Sequence, residues 1–196
     1  MSNQFEKALK HLLAFEGGYA NDPADSGGET FRGISRRNWP KWPGWPLIDR
    51  AKAGGTKTAK LINATFAGDQ EMERLVADFY RQNFWKPFER FGLPERLTAK
   101  LFDTAVNMGA GRAAKLLQTA VNSLGSVVKL AVDGAIGPRT LDALGLILDA
   151  PTGESRVLTA YAEAQAGHYR AIVANKPSQG KFLTGWLQRA AWIPAG

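Results

Sequence analysis

An apolar stripe that runs straight into a pair of glycines sets the first constraint on this fold. Phe5, Ala8, Leu9, Leu12, Leu13 and Phe15 recur at helical spacing, while Glu6, Lys7, Lys10 and His11 occupy the other side of the wheel. The spacing predicts an amphipathic helix that must bury one face. At about 100° per residue, Glu16 falls about 20° from Phe5 on that wheel, so the glutamate ends the helix facing inward. Gly17 and Gly18 follow and supply the backbone freedom to stop the helix and turn the chain.

Beyond them, Tyr19 to Thr30 is built from Asn, Asp, Pro, Ser and Gly, which is turn chemistry, and a small hairpin-like flap is expected around Phe31 to Ser35. In "NWPKWPGWP" three tryptophans alternate with prolines, and each proline restricts the residue before it, so an ordered aromatic loop is expected rather than a helix. Helical periodicity returns in "EMERLVADFYRQNFW", "ERLTAKLFDTAVNMG", "RAAKLLQTAVNSLG", the segment after Pro138, "ESRVLTAYAEAQAGHYRAIVAN" and the tail "FLTGWLQRAAW". Strands are scarce and no fixed-period repeat occurs. The expected class is mainly α, with two lobes around a cleft and a small β or loop flap. The Gly92-Leu93-Pro94 region divides a first lobe, 1–93, from a helical region, 94–196, that packs with it as one compact unit.

At 196 residues the chain can bury a sizeable core without staples. It has no cysteine, and its two histidines, His11 and His168, lack ligand spacing, so neither a metal nor another cofactor is expected. Charges interrupt the N-terminal apolar stripe, unlike a signal peptide, and no apolar run approaches the roughly 20 residues of a membrane span. Synthesis in the cytoplasm without a signal peptide and no stable membrane insertion are the expectations. With 25 Lys and Arg against 18 Asp and Glu, the net charge is +7, which favours an anionic partner. The basic residues are scattered rather than striped and no nucleic-acid motif accompanies them, so nucleic acid is not the expected partner.

An inward-facing glutamate at a helix end suggests a general acid, because partial desolvation disfavours a carboxylate relative to the protonated form. The bland alternative is a helix-terminal glutamate paired with Arg32 or Arg36. Glycoside cleavage needs a second group across the scissile bond, and Asp25, beyond the turn, is the first candidate. Asp22 and Glu29 are the rival carboxylates; Asp22, before Pro23, suits turn formation, and Glu29 suits a solvated position. The hydroxyl of Thr30 is placed to hold a water opposite the acid. Tyr19 and Asn21 are candidate substrate contacts through an aromatic face and an amide, with packing and turn formation as alternatives. Asn107, on an otherwise apolar helix, either lines the cleft or locks two helices together, while Asp103 on the same helix is expected to face solvent or an arginine. Trp39, Trp42 and Trp45 favour core packing over sugar stacking. "VDGAIGPRT" reads as a structural turn before a helix started by Pro138.

Taken together, "EGGYANDPADSGGETFRGIS" resembles the glycoside hydrolase family 108 muramidases, phage-type endolysins also described as secretion activating proteins, in its E-G-G-Y, N-D-P-x-D-x-G-G-x-T and G-I-S/T elements. "LFDTAVNMGAGRAAKLLQTAVN", "VDGAIGPRT" and "GWLQR" are similar to the peptidoglycan-binding region that follows in that family. The resemblance implies a lysozyme-like fold and cleavage of the β-1,4 bond between N-acetylmuramic acid and N-acetylglucosamine, with the family's glutamate falling on Glu16. It also implies a peptidoglycan glycan strand as partner, action at the cell wall or periplasm, and a holin or export system for release. The Glu, Asp, Thr order of Glu16, Asp25 and Thr30 looks like a phage-lysozyme triad, although the last spacing is one residue shorter than usual. Phe31-Arg32 departs from the family pattern beside the acid. A non-catalytic wall-binding or secretion-assisting protein is the alternative, and retention or inversion stays open.

Overall fold

The computed structural model describes residues 3–21, 28–56, 58–125 and 129–195. The chain is mainly helical with one small antiparallel sheet, and it divides into two compact units, Met1–Asn83 and Phe84–Gly196. The division falls before the Gly92-Leu93-Pro94 region. Leu97, Leu101 and Ala105 of the following helix pack with the apolar side chains of the later ones, which draws that whole segment into the second unit.

The first unit opens with α1 (Asn3–Phe15), whose Phe5, Ala8, Leu9 and Leu12 are buried, while Leu13 is half-buried and Phe15, at the helix end, is exposed. Three two-residue strands follow, β1 (Tyr19–Ala20), β2 (Thr30–Phe31) and β3 (Ile34–Ser35), in the order β1-β2-β3. Tyr19 pairs with Phe31 and Phe31 with Ile34, so the period of two places these three side chains on the buried face and Ala20, Thr30 and Ser35 on the other. The expected flap is therefore a real sheet, anchored by one aromatic or aliphatic residue per strand.

Two helices that periodicity does not announce come next. α2 (Trp45–Ala53) begins inside the tryptophan-proline segment with Pro46 in its first turn, where the missing N–H costs nothing. α3 (Ala59–Thr65) is capped by Thr58, whose side chain accepts from the Leu61 N–H, and it buries only Ile62. Each short helix hides one or two residues, too few to print a period on the sequence. Trp42 and Trp45 are buried, with their indole N–H groups donated to the Leu75 and Trp39 carbonyls, as core packing demands. α4 (Gln70–Tyr80) is capped by Asp69, which accepts from Met72 N at 2.7 Å, and buries Met72, Leu75, Val76, Phe79 and Tyr80. A π-helical turn, Arg81–Trp85, follows it.

The second unit contains α5 (Lys86–Glu89), α6 (Glu95–Met108), α7 (Ala110–Ser123), α8 (Pro138–Leu148), α9 (Gly153–Asn175) and α10 (Leu183–Ala191). Its core joins Leu101 of α6, Leu117 and Val121 of α7, Leu144 of α8 and Val157 and Tyr161 of α9. The segment before α8 is held by buried Gln118, whose amide donates to Asp133 and to the Ala135 carbonyl and accepts from Gly134 N. Asn107 ties α6 to α9, its amide oxygen accepting from the Tyr169 hydroxyl at 2.8 Å. Asp103 faces an arginine: it is fully buried and pairs with Arg189 at 3.0 Å.

Beside that pair lies Lys100, also fully buried, whose Nζ donates to the carbonyls of Ala190 at 2.8 Å, Trp192 at 2.7 Å and Arg189 at 3.3 Å. These include the last carbonyls of α10, which a helix end leaves without partners. Burial lowers the Lys100 pKa to about 8 against the opposing pull of Asp103. Below that value the folded and unfolded chains both carry the charge; between about pH 8 and 10.5 the unfolded chain holds the extra proton, so stability rises with pH. Relative to Lys100→Met, the wild-type protein is expected to gain up to about 3 kcal/mol across that interval, measured by urea denaturation of both proteins at each pH. A difference that stays flat or shrinks would contradict the enclosed charge.

Candidate functional site

Glu16 stands one residue past α1, half-buried, its N–H still bonded to the Leu12 carbonyl at 3.3 Å. The inward position read from the helical wheel is the observed one. Opposite it, the turn between β2 and β3 consists of only Arg32 and Gly33, both with positive φ, 46° and 80°. Two left-handed residues between paired strands make the tight turn whose twist matches a hairpin, and a glycine accepts that conformation without strain. Gly33 is needed for a second reason. A Cβ there would lie 2.7 Å from Glu16 Oε2 and 2.6 Å from the Tyr80 hydroxyl, so the bare α-carbon lets the carboxyl and the phenol close over the turn.

Tyr80, the last residue of α4, donates its hydroxyl to the Arg32 carbonyl at 2.7 Å. The Arg32 side chain forms a two-pronged bond with Glu73 of α4, 2.7 Å at each nitrogen, and its backbone N–H donates to the Gly18 carbonyl. The turn is thus fixed from the glycine pair after α1 on one side and from α4 on the other. Glu16 faces a groove of about 720 Å³, with Phe5, Leu9, Leu13 and Ala77 as its apolar wall and Arg32, Glu73, Asp78 and Arg81 as its polar one. Seven charged side chains, Glu6 and Lys10 among them, line this groove beside its apolar wall, and such convergent polar groups can orient a polar ligand.

The neighbouring arginines have other partners. Arg32 is engaged by Glu73, and Arg36 by Asp49 at 2.7 Å and Glu29 at 2.9 Å. Glu29 is not a solvated carboxylate. Its side chain is 12% exposed and gathers Arg36, Lys52 and the Tyr19 hydroxyl, which donates at 2.8 Å. Burial works against the charge on Lys52, yet its bonds to Glu29 and Tyr19 outweigh that and raise its pKa; burial likewise raises that of Tyr19. With 6% of Tyr19 exposed and its hydroxyl committed, its ring braces the sheet and offers no open face to a sugar.

Asn21 is exposed at the end of β1, and Thr30 is half-buried on the face of the sheet away from the core. Asp25 and its rival Asp22 lie outside the described residues. Asn107 belongs to the second unit, where its oxygen serves Tyr169, so the helix-locking alternative describes its observed bond. Sequence reasoning passed over Gly33, Tyr80 and Glu73. The pattern Phe31-Arg32-Gly33-Ile34, a glycine-containing pair between apolar residues, carries the signal for the turn; nothing in the sequence pairs it with Tyr80.

Comparison with family models finds the glycosyl hydrolase 108 model over residues 9–109 and the predicted peptidoglycan domain model over residues 112–191. Among solved structures the chain is similar to one described as the structure of Brucella abortus SagA, with 26% identity and a TM-score of 0.57 over 95% of this chain and 89% of that one. Comparison with curated protein sequences finds no match. The fold is lysozyme-like, as the resemblance implies.

The crowding at Gly33 is directly testable. Gly33→Ala forces a strained φ and displaces Glu16 or Tyr80, and is expected to cost about 1–3 kcal/mol in thermal or urea unfolding. Tyr80→Phe, which removes the hydroxyl bonded to the Arg32 carbonyl, should cost about 1 kcal/mol or more. Equal stability of Gly33→Ala and wild type would refute the close approach.

Proposed function

The chain belongs to the glycosyl hydrolase 108 family, and from that footing we propose that it is an N-acetylmuramidase in which Glu16 is the general acid. The bond cut is the β-1,4 linkage from N-acetylmuramic acid to N-acetylglucosamine. The observation that carries this reading is the Glu16 carboxyl, half-buried, lining a groove and seated so close to Gly33 that a Cβ there would crowd it.

The chemistry runs as follows. Glu16 delivers its proton to the glycosidic oxygen, the bond to the anomeric carbon breaks, and positive charge develops on the sugar ring. Asp25 stabilises that charge or activates water on the opposite face, and Thr30 positions the water. Glu73 is a poor substitute for Asp25, because both its oxygens are bonded to Arg32. The match to a predicted peptidoglycan domain over 112–191 supports the wall polymer as ligand, and the net charge of +7 favours an anionic wall. Within this reading the protein is a phage-type endolysin that acts at the cell wall or periplasm after release through a holin or export system.

The test is clearing of purified cell walls, followed by identification of the new reducing end by mass spectrometry. Glu16→Gln should retain the fold by circular dichroism and lose about 10²–10⁴-fold in clearing rate. Asp25→Asn should also be strongly impaired. Clearing by Glu16→Gln at the wild-type rate removes Glu16 from the mechanism, and new reducing ends on N-acetylglucosamine reassign the bond.

A further inference from the structure

Of the three tryptophans in "NWPKWPGWP", two are sealed in the core but Trp39 is 37% exposed. It stands edge-on to Phe79 of α4, ring centroids 4.9 Å apart, at a second groove of about 600 Å³. The amides of Asn38, Gln82 and Asn83 share that groove with it. Gln82 and Asn83 belong to the π-helical turn after α4, a distortion that recurs at functional sites. The Asn83 amide nitrogen donates to the Phe79 carbonyl at 2.8 Å, which leaves its oxygen as an acceptor.

Asp78 lines both grooves, so this one adjoins the groove at Glu16 across the exposed ridge of α4. Arg74 pairs with Asp78 at 3.0 Å along that ridge and the two charges offset each other. Beside that pair the groove presents a flat indole, three neutral amides and the single cation Lys41. An aromatic face matches the axial C–H surface of a pyranose, and amides match hydroxyl and acetamido groups. A simple anion would be met by clustered cations and a hydrophobic peptide by fewer amides.

We propose that this groove is a second saccharide site, which holds an N-acetylated hexosamine of a glycan strand away from the bond being cleaved. The choice of glycan rests on the peptidoglycan reading above; the site itself is independent of Glu16. It would keep the first unit on an insoluble polymer between cleavage events.

The probe is chitotetraose, titrated into full-length Glu16→Gln protein while the indole N–H resonances are followed by NMR, with that of Trp39 assigned through Trp39→Phe. The Trp39 resonance should shift in a saturable way, while those of buried Trp42 and Trp45 move less. Gln82→Ala, a change at an exposed side chain, should weaken the shift at least about fivefold with no change in melting temperature. A Trp39 resonance unmoved at about 10 mM saccharide overturns the proposal, as does full affinity in Gln82→Ala. A response to a sugar-free stem peptide but not to chitotetraose overturns it in favour of a peptide site. These outcomes are separable from failure of the catalytic reading: wall clearing by Glu16→Gln sinks Glu16 and leaves the Trp39 titration standing, and the reverse also holds.

Discussion

The candidate site depends on one bare α-carbon. At Gly33 the turn between β2 and β3, the carboxyl of Glu16 and the hydroxyl of Tyr80 meet with no room for a methyl group. Three parts of the chain, the end of α1, the hairpin and the end of α4, are therefore fixed against each other at a single point. Phe31 and Ile34 drive the hairpin into the core from below, while the Tyr80 hydroxyl holds the Arg32 carbonyl. The strain of a non-glycine residue at positive φ, Arg32, is offset by these contacts and by the two-pronged bond to Glu73.

The carboxylates around this point are sorted by their partners. Glu29 is enclosed with a lysine, an arginine and a tyrosine and serves as a rivet between the sheet and α2. Glu73 is occupied by Arg32, and Asp78 by Arg74 on the exposed ridge. Such pairs occupy and orient the carboxylate oxygens, which suits a structural role. Glu16 lines the groove that Phe5, Leu9, Leu13 and Ala77 share with several charged side chains.

In the second unit the polar constraints are internal. Lys100, Asp103 and Arg189 bring charge into the interior to fasten the end of α10, and Gln118 satisfies the backbone of the turn before α8 through both ends of its amide. Buried polar groups of this kind stabilise only when each finds its partner, and here the partners are backbone groups that helix ends and tight turns would otherwise leave unsatisfied. The similarity of this region to a peptidoglycan domain is thus carried by a helical unit whose glycine-rich turn is a structural element.

The long helices were legible because each must bury a face and so writes a period of 3.6 on the sequence; α1, α4, α6, α7 and α9 all follow it. The inward direction of Glu16 came from the same rule. α2 and α3 were not legible, since Trp45, Ile48 and Ile62 are too few to form a stripe. Nor was the fate of Tyr19, Glu29 and Asn107, whose side chains suit a ligand or a neighbour equally well until the neighbour is known. By itself the sequence determined the helical class, the place where α1 must stop and the side on which Glu16 lies, because these follow from local backbone geometry and burial. Only the tertiary structure decided that Gly33 and Tyr80 close over that carboxyl and that Glu29 is clamped away from chemistry, because contacts between residues distant along the chain leave no period to read.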